Sequence, residues 1–377
     1  MLEKLCPFSV MRNRLLLVLA LCIISCQKND EAPEPLVMRK ANDSLKLTEI
    51  EKIHLQADSS RVIGVITSIQ VAKNGDFYLN DESSATVQVY SSEGKFLRRI
   101  GKFGQGPGEF EHNKIIRLAQ DGFGVRDLRS HKISFFDFEG NYLKDLRFAT
   151  NPKIIVLGEH FDYSPRGTRI YVSCIETNLK PKEECKSLAI AAYNENLKLV
   201  SLGGKIDPIV ESYCEKFLKD SIVRTDKYEN IYLVHERLPR ITKYTPEFQK
   251  LGTLNFYTNA WKHPYDDLDA DVVDMELRNV IHSRVLEMEI GKKTGRIFVY
   301  HGWKDVEQST KEKQKVIHTY LSVLSADDKL LIAAQRVPLS PMAINDEEDI
   351  FLIKEYTSSG CIIGKYKLIA SDFLAPD

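Results

Sequence analysis

The sequence predicts an all-β protein built from repeated four-stranded units, and two observations support this fold class. Valine, isoleucine, leucine, tyrosine and phenylalanine come in short alternating runs, which are typical of β-strands. Gly75 and Gly122 lie 47 residues apart, and each belongs to an Asn-Gly or Asp-Gly hairpin turn between such runs. Self-similarity at this period indicates a β-propeller or a similar array.

A glycine-rich corner at residues 101–110 marks the boundary between the first two units. It contains four glycines and one proline, a composition that excludes the interior of a helix or of a central strand. One predicted strand, 96–100, leads into the corner, and another, 115–119, leaves it. We therefore expect the corner to connect consecutive blades.

The chain can be divided into six such units. Units one and two predict strands at 65–71, 77–80, 86–90, 96–100, 115–119, 123–127, 132–137 and 142–146. The later units predict third strands at 188–193, 240–244, 319–324 and 361–368, and fourth strands at 198–202, 248–251 and 329–333. Unit six has no residues left for a fourth strand, but a spare strand is predicted at 45–55. Because an open ring would expose sheet edges, we expect this N-terminal strand to complete the last blade.

Residues 64–148 resemble the NHL-type repeat and, more closely, the six-bladed β-propeller lipoproteins of that superfamily. The resemblance rests on an apolar-Tyr-apolar strand, a Gly-x-Phe turn after the third strand, and the corner Gly-x-x-Gly-x-Gly-Pro-Gly-Glu-Phe. It implies a closed ring of six four-stranded antiparallel blades. Units three and five depart most from the repeat, because they carry insertions and lack the glycine-rich corner.

Residues 1–25 are predicted to be a lipoprotein signal peptide. Arg12 and Arg14 precede a short apolar stretch at 15–24, and Ser25-Cys26 resembles the end of a bacterial lipobox, whose cysteine is lipidated. An ordinary signal peptide with an incidental cysteine is the alternative. Residues 26–44 are predicted to be a flexible tether, and residues 45–377 the propeller domain.

The residues that follow Cys26 predict where the protein resides. The acidic run at 27–31 resembles the signal that directs lipoproteins to the surface-exposed leaflet of the outer membrane in some Gram-negative bacteria, although a solvated tether is the alternative. No later stretch is apolar enough to span a bilayer, so we expect membrane contact through the lipid anchor only. The formal net charge of −1 argues against nucleic-acid binding.

In a propeller, the first-to-second and third-to-fourth strand turns lie at one end of each sheet, here called the first face. The second-to-third strand loops and the connections between blades lie at the other end, here called the second face. Turns expected on the first face are mostly tight, whereas the segments 104–112, 176–186, 204–220, 256–283 and 302–315 fall on the second face. Long, varied loops on one side of a scaffold commonly carry binding residues, although tolerated insertion is the alternative.

Aromatic and imidazole side chains predicted for the second face are the candidate ligand-binding residues: Trp261, His263, Tyr265, His301, Trp303 and His112. Aromatic rings beside the carboxylates of 266–276 suit a glycan or a peptide, which they would hold by stacking and hydrogen bonds. A short capping helix is the alternative for this segment. An EF-hand is excluded, because Val272 stands where glycine is required and Arg278 where glutamate is required.

The third residue after the aromatic position of each second strand belongs to a mixed set: Asp81, Asp127, Cys174, His235, His301 and Lys354. In propeller hydrolases and lyases such positions bind a metal, but this mixture does not make one clean site. Asp81 and Asp127 also match the structural aspartate of the resembling family, which caps the following turn. We therefore expect no metal and no other cofactor.

Two cysteines that flank one loop, Cys174 and Cys185, are predicted to form a disulfide, since an exported protein resides where disulfides persist. The leading functional hypothesis is a non-catalytic protein that binds a glycan, peptide or protein partner through its second face. The alternative is a metal-dependent hydrolase or lyase of the lactonase-like propeller type, with its site at the mouth of the channel.

Overall fold

The computed structural model describes residues 45–56, 62–148, 154–155, 158–176, 188–207, 221–262, 283–312, 316–357 and 360–370. These ranges form six four-stranded antiparallel sheets and one additional two-stranded sheet. The predicted fold class, an all-β six-bladed propeller, is confirmed. Within the same ranges, the structure contains no helix with the length and apolar character needed to cross a membrane.

The strands are numbered in chain order and begin with β1 (Leu45–Gln56). Blade 1 contains β2 (Ile66–Val71), β3 (Phe77–Asp81), β4 (Thr86–Tyr90) and β5 (Phe96–Ile100). Blade 2 contains β6 (Asn113–Leu118), β7 (Phe123–Asp127), β8 (Lys132–Phe136) and β9 (Tyr142–Arg147). A small sheet pairs β10 (Ile154–Ile155) with β13 (Ile175–Glu176).

Blade 3 contains β11 (Phe161–Tyr163), β12 (Arg169–Ser173), β14 (Leu188–Asn194) and β15 (Leu199–Lys205). Blade 4 contains β16 (Ser221–Thr225), β17 (Ile231–His235), β18 (Arg240–Tyr244) and β19 (Lys250–Asn255). Blade 5 contains β20 (Ser283–Ile290), β21 (Ile297–Asp305), β22 (Val316–Leu324) and β23 (Leu330–Arg336). Blade 6 contains β24 (Met342–Ile344), β25 (Ile350–Thr357), β26 (Gly360–Ala370) and β1.

The N-terminal strand completes the last blade, as predicted. β26 pairs antiparallel with β25 on one side and with β1 on the other, so that Leu45 lies opposite Ala370 and Gln56 opposite Gly360. One apolar cluster joins β1, β25 and β26 to blade 1, where it includes Ile69. The ring is therefore closed by backbone pairing within blade 6 and by apolar packing between blades 6 and 1.

Every interface between consecutive blades has an apolar core of its own. Six clusters of buried side chains correspond to the six interfaces around the ring. The first strand of each blade contacts the first strands of its neighbours, so β2, β6, β11, β16, β20 and β24 form the inner ring around the channel. Because each sheet is covered on both sides, the second strands β3, β7 and β17 are buried along their whole length.

The glycine-rich corner at 101–110 connects blades 1 and 2, as expected. Phe110 is fully buried, and its ring centroid lies 5.9 Å from that of Phe136 in blade 2. Gly101 has a φ of 81°, and a Cβ atom there would lie 2.3 Å from the Phe110 ring. Glycine is required at this position because the backbone is left-handed and the buried ring occupies the space of a side chain.

Blade 5 departs from the prediction of a loop at 302–315. β21 continues to Asp305 and β22 begins at Val316, with the short helix α1 (Val306–Glu312) between them. The Asp305 carboxylate accepts a hydrogen bond from the Gln308 backbone N–H at 2.8 Å and so caps the helix. Trp303 consequently lies on a strand of an extended hairpin and not in a loop.

Candidate functional site

In blades 1 and 2, the aspartate that ends the second strand binds the incoming chain at the second face. The Asp127 carboxylate accepts hydrogen bonds from four backbone amides, those of Glu111 (2.7 Å), His112 (3.2 Å), Arg129 (3.1 Å) and Ser130 (3.1 Å). Asp81 likewise accepts hydrogen bonds from the backbone amides of Gly64 and Ser83, each at 3.1 Å. This arrangement agrees with the structural role expected for both aspartates.

Blades 3 to 5 lack this aspartate and carry three buried histidines near the second face. His235 Nε2 accepts one hydrogen bond, from the Asp207 backbone N–H at 3.1 Å, and burial lowers the pKa of His235 to about 4. His301 Nε2 lies 3.0 Å from Ser322 Oγ, and burial lowers the pKa of His301 to about 3. The third histidine, His160, precedes β11 and is also buried. In blade 4, therefore, an uncharged ring accepts a hydrogen bond from the incoming chain where blades 1 and 2 use a carboxylate.

Five charged side chains from the inner strands of four blades meet in the channel: Arg117, Asp162, Arg224, Glu287 and Glu289. Arg117 Nη2 lies 3.2 Å from Asp162 Oδ1 and 3.1 Å from Glu289 Oε2, and Arg117 Nη1 also contacts Glu289. β6 belongs to blade 2 and β20 to blade 5, on opposite sides of the six-membered ring. The contact between Arg117 and Glu289 therefore spans the channel.

Arg224 forms the second half of this network. Its Nη2 donates to Glu287 Oε1, and its Nε lies 3.7 Å from Glu289 Oε2. Asp162 also accepts hydrogen bonds from the backbone N–H of Thr225 at 2.8 Å and from its hydroxyl at 3.1 Å. Each buried charge thus has an opposite charge beside it, which is the condition under which buried ions are tolerated.

The pKa values in the network follow from burial and from these pairings. Burial alone would lower the pKa of Arg117, but the carboxylates of Glu289 and Asp162 outweigh burial and raise it. Burial raises the pKa of Glu287. For Glu289 the effect of burial is outweighed by Arg117 and Arg224, which lower its pKa. The pKa values of the two glutamates of β20 are therefore shifted in opposite directions.

A second polar group lies at the second-face end of the same strands. Arg284, the second residue of β20, donates from Nε to the carboxylate of Glu236, which follows β17. His160 Nε2 lies 3.9 Å from the other oxygen of Glu236. Burial, together with the nearby positive charges of Arg224 and Arg284, lowers the pKa of His160 well below its ordinary value. We call His160, Glu236 and Arg284 the mouth cluster.

Exposure within the mouth cluster decreases inward from the surface. The Arg284 side chain is 42% exposed, whereas those of Glu236 and His160 are each 4% exposed. Among the described residues, several buried polar atoms near the second face have no hydrogen-bond partner, including His160 Nδ1 and the hydroxyl of Ser221, the first residue of β16. Unpartnered buried donors and acceptors are rare in folded proteins, and they mark places where a water molecule or a ligand group can bind.

Two of the predicted ligand-binding residues are buried between blades 4 and 5. Trp261 is 4% exposed and His301 is not exposed, and their ring centroids lie 5.5 Å apart. Phe256 packs against both rings. The structure therefore brings Trp261 and His301 together in the apolar core between these blades, and their role in binding a ligand stays a prediction.

Trp303 and His112 are more accessible and lie in different parts of the molecule. The half-buried indole of Trp303 lies against His318 at 4.4 Å between ring centroids, and Lys262 Nζ lies 5.6 Å from its ring. His112 Nε2 contacts Glu82 Oε1 at 2.8 Å, and its side chain is 39% exposed. His112 contacts residues of blades 1 and 2, whereas Trp303 belongs to blade 5.

The remaining predicted residues lie outside the described ranges. These are His263, Tyr265, Cys26 and Cys185. Cys174 is buried, and its thiol lies 4.0 Å from the Leu188 carbonyl oxygen. Because Cys185 is not described, the predicted disulfide stays a prediction. Lipidation of Cys26 and the division of the chain at residues 25 and 44 also remain predictions.

The channel charges are functional candidates that the sequence interpretation missed. Their signal is a charged residue inside a short apolar first strand, as with Arg117 in Ile115-Ile116-Arg117-Leu118 and with Glu287 and Glu289 around Met288. In an antiparallel sheet with one solvated face, this alternation is ordinary. It points to the channel only when the strand is known to be the innermost of its blade.

The carboxylates of the channel pair with arginines. Among the residues that the structure describes, no group of three or more histidine, cysteine, aspartate or glutamate side chains is arranged to hold a metal ion. Glu287 and Glu289 each contact a guanidinium group, as does Glu236. A metal at these positions would have to displace arginines from buried ion pairs.

Comparisons with known proteins agree with the fold. A family model described as DUF5128, 6-bladed beta-propeller, matches residues 28–197. A search of curated proteins finds no match to this chain. Taken with the six blades in the structure, the family match identifies the chain as a six-bladed β-propeller.

Two solved structures from Bacteroides share the architecture over nearly their whole length. A member of the duf4221 family from Bacteroides vulgatus has a TM-score of 0.60 and 11% sequence identity, covering 87% of this chain and 99% of that chain. A protein from Bacteroides fragilis has a TM-score of 0.57 and 9% identity, covering 89% and 98%. A virginiamycin B lyase from Staphylococcus aureus reaches a TM-score of only 0.44 at 11% identity, covering 86% and 100%, and carries no argument about function. At these identities the likeness concerns the fold alone.

Proposed function

We propose that this chain is a lipid-anchored propeller of the bacterial cell envelope that binds a glycan, peptide or protein partner through its second face. The observation that carries the proposal is the mouth cluster. Three successive blades contribute one polar residue each to the end of the channel, and Arg284 extends from buried Glu236 to the surface. Function in a common fold resides in such local sites, because the same scaffold supports many activities.

The chemistry of this end suits a ligand with hydroxyl or amide groups. The neutral His160 ring and the Ser221 hydroxyl can each donate or accept a hydrogen bond, and each has a buried atom without a partner. Hydroxyl and amide groups of glycans and peptides also both donate and accept. Trp303 adds an aromatic surface on the extended hairpin of blade 5. Aromatic and arginine side chains commonly dominate the energy of such interfaces.

The lipid anchor follows from the order of basic flank, apolar core and Ser25-Cys26 at the N-terminus. Lipidation of Cys26 would hold the propeller at a membrane without any spanning segment. Replacing Cys26 by serine should release the protein from the membrane fraction of the cells that produce it. Retention of the Cys26→Ser variant as firm as that of the wild type would reject the anchor.

A metal-dependent hydrolase or lyase is the second candidate. The pairing of channel carboxylates with arginines argues against it, since a metal ion requires carboxylates or imidazoles that are free to coordinate. Elemental analysis of the purified protein tests this choice. Stoichiometric calcium or zinc would favour the hydrolase or lyase over the binding protein.

The binding function can be tested with residues 27–377, produced without the lipid and screened on a glycan array and a peptide library. Trp303→Ala should weaken a discovered ligand by about 2 kcal/mol, roughly thirtyfold in Kd, and Arg284→Ala should weaken it in the same direction. Arg166→Ala is the matched control, because Arg166 lies on the first face with its side chain 78% exposed. Equal losses in the first-face and second-face variants, or no bound ligand in either screen, would contradict the proposal.

A further inference from the structure

The register of blade 6 determines which end of the propeller receives the N-terminal segment. Gly360 and Gln56 are opposite each other at the β25–β26 loop, which is a second-to-third strand connection and so belongs to the second face. Leu45 and Ala370 are opposite each other at the other end of the same ribbon. The chain that precedes β1 therefore joins the propeller at the end away from the second-face loops.

The β1–β26 ribbon extends beyond the sheet at that end. The first residue of β25, Ile350, lies opposite Tyr366, and four further pairs of β26 with β1 continue to Ala370. The position where the N-terminal segment attaches thus lies past the first-face end of β25. β1 has 12 residues and, at the usual rise per residue, separates its two ends by about 40 Å.

We infer that the first face lies against the lipid bilayer and the second face points away from it, an inference that rests on the lipid anchor of the proposed function. Residues 26–44, predicted to be a tether, number 19, and a flexible chain of that length spans about 24 Å on average. This span is shorter than β1 itself. The anchor therefore holds the Leu45 end of blade 6 nearer to the membrane than the Gln56 end.

Tyr228 and Lys227 form an exposed aromatic and basic pair on the first face that suits contact with lipid headgroups, among turns that also carry many carboxylates. Tyr228, in the turn between β16 and β17, is 72% exposed, and Lys227 Nζ lies 5.3 Å from its ring. Tyrosine and lysine side chains are enriched where proteins meet the interfacial region of a bilayer. The tight turns of this face allow its surface to approach a membrane. In this orientation the mouth cluster is open to ligands from outside the membrane.

The test is quenching by lipid. The lipidated full chain is reconstituted into vesicles of phosphatidylethanolamine and phosphatidylglycerol that contain a phospholipid with a nitroxide on its headgroup. Two matched variants each add one tryptophan: Tyr228→Trp on the first face, and Tyr356→Trp at the second-face end of β25, where Tyr356 is 50% exposed. After subtraction of the wild-type signal, the tryptophan at position 228 should lose a larger fraction of its fluorescence.

The possible outcomes distinguish a failure of the proposed orientation from a failure of the lipid anchor. Equal quenching at the two positions, or stronger quenching at position 356, would overturn the orientation while leaving the anchor intact. A wild-type chain that does not float with the vesicles would instead reject the anchor, and the orientation with it. The Cys26→Ser variant gives the quenching of unattached protein, and both added tryptophans should be unquenched in it.

Discussion

Blades 1 and 2 hold the chain that enters them at the second face with a carboxylate, whereas blade 4 uses an imidazole ring. In blade 2 the incoming chain is held by the Asp127 carboxylate through four backbone amides, and Asp81 plays the same part in blade 1. In blade 4 the equivalent position is His235, which binds one backbone amide. Blades 1 and 2 thus use a charged acceptor with several partners, and blade 4 uses a neutral ring with one.

The difference indicates which blade connections are fixed by strong hydrogen bonds and which blades have polar residues available for binding. Hydrogen bonds to a carboxylate are stronger than those to a neutral acceptor, so the connections into blades 1 and 2 are tightly fixed. Blades 3 to 5 instead have the mouth cluster at the surface and most of the channel charges inside. Binding sites are expected in such regions, where the scaffold is rigid and the loops vary.

The largest effect is expected from breaking the channel network. Arg224→Met leaves the buried Glu287 without the guanidinium that it contacts, and removing one partner of a buried ion pair costs about 4 kcal/mol in the free energy of unfolding. Urea denaturation would measure this loss. The double variant Arg224→Met/Glu287→Leu should recover most of it, because no unpaired charge remains.

If the double variant is as unstable as Arg224→Met alone, the pairing of Arg224 with Glu287 does not account for the loss. The network would then stabilise the ring through geometry that apolar side chains cannot replace. Such a result would weaken the contrast between the blades. The channel of blades 4 and 5 would then depend on its side-chain geometry as strictly as blades 1 and 2 depend on their aspartates.

A smaller loss of stability is expected when the aspartate or histidine that holds an incoming chain is replaced. Asp127→Ala removes the acceptor for four buried or half-buried amides and should cost about 3 kcal/mol, whereas His235→Phe removes the acceptor for one and should cost about 1 kcal/mol. Both losses can be read from urea denaturation under the same conditions. Similar values for the two variants would show that the aspartate and histidine ties hold the chain equally well.

The fold could be predicted from the sequence because its signals are local. Alternating strands and Asn-Gly or Asp-Gly turns fix each hairpin, and the missing fourth strand of unit six assigns the N-terminal strand to blade 6. The observed β4, β5, β7 and β18 begin and end at the predicted residues. The hairpins depend on neighbours within a few tens of residues, and the N-terminal strand is assigned to blade 6 by elimination, because that blade lacks a fourth strand.

The site depends on contacts between distant residues, which a single sequence does not display. Arg117 and Glu289 are 172 residues apart, and their pairing follows only from the curvature of the ring. Trp261 illustrates the reverse case, in which a predicted binding residue is buried. A tryptophan beside a long polar segment suggests an exposed binding residue. In the structure the chain around Trp261 turns back onto Phe256 and His301, and the indole fills the core between blades 4 and 5.

The smallest predicted difference concerns pH. Burial lowers the pKa of His301 to about 3 in the folded protein. As the pH falls through 6.5, His301 is therefore protonated in the unfolded chain and stays neutral in the folded chain. Since the folded pKa is depressed, stability is lost as the pH falls below 6.5. Between pH 7 and pH 5, His301 should account for a loss of about 2 kcal/mol, and His235, whose pKa is about 4, for a similar loss.

His301→Phe isolates this contribution, because the surrounding rings of Phe256, Trp261 and Tyr320 suit a phenylalanine. The free energy of unfolding, measured at pH 7 and pH 5, should fall by about 2 kcal/mol less in the variant than in the wild type. In the wild type, the rate of amide hydrogen exchange should increase most between pH 7 and pH 5 in blades 3 to 5, where the buried histidines lie. If the variant loses as much stability as the wild type, His301 is not held neutral, and the proposed contrast between the charged aspartates of blades 1 and 2 and the neutral histidines of later blades fails at that position.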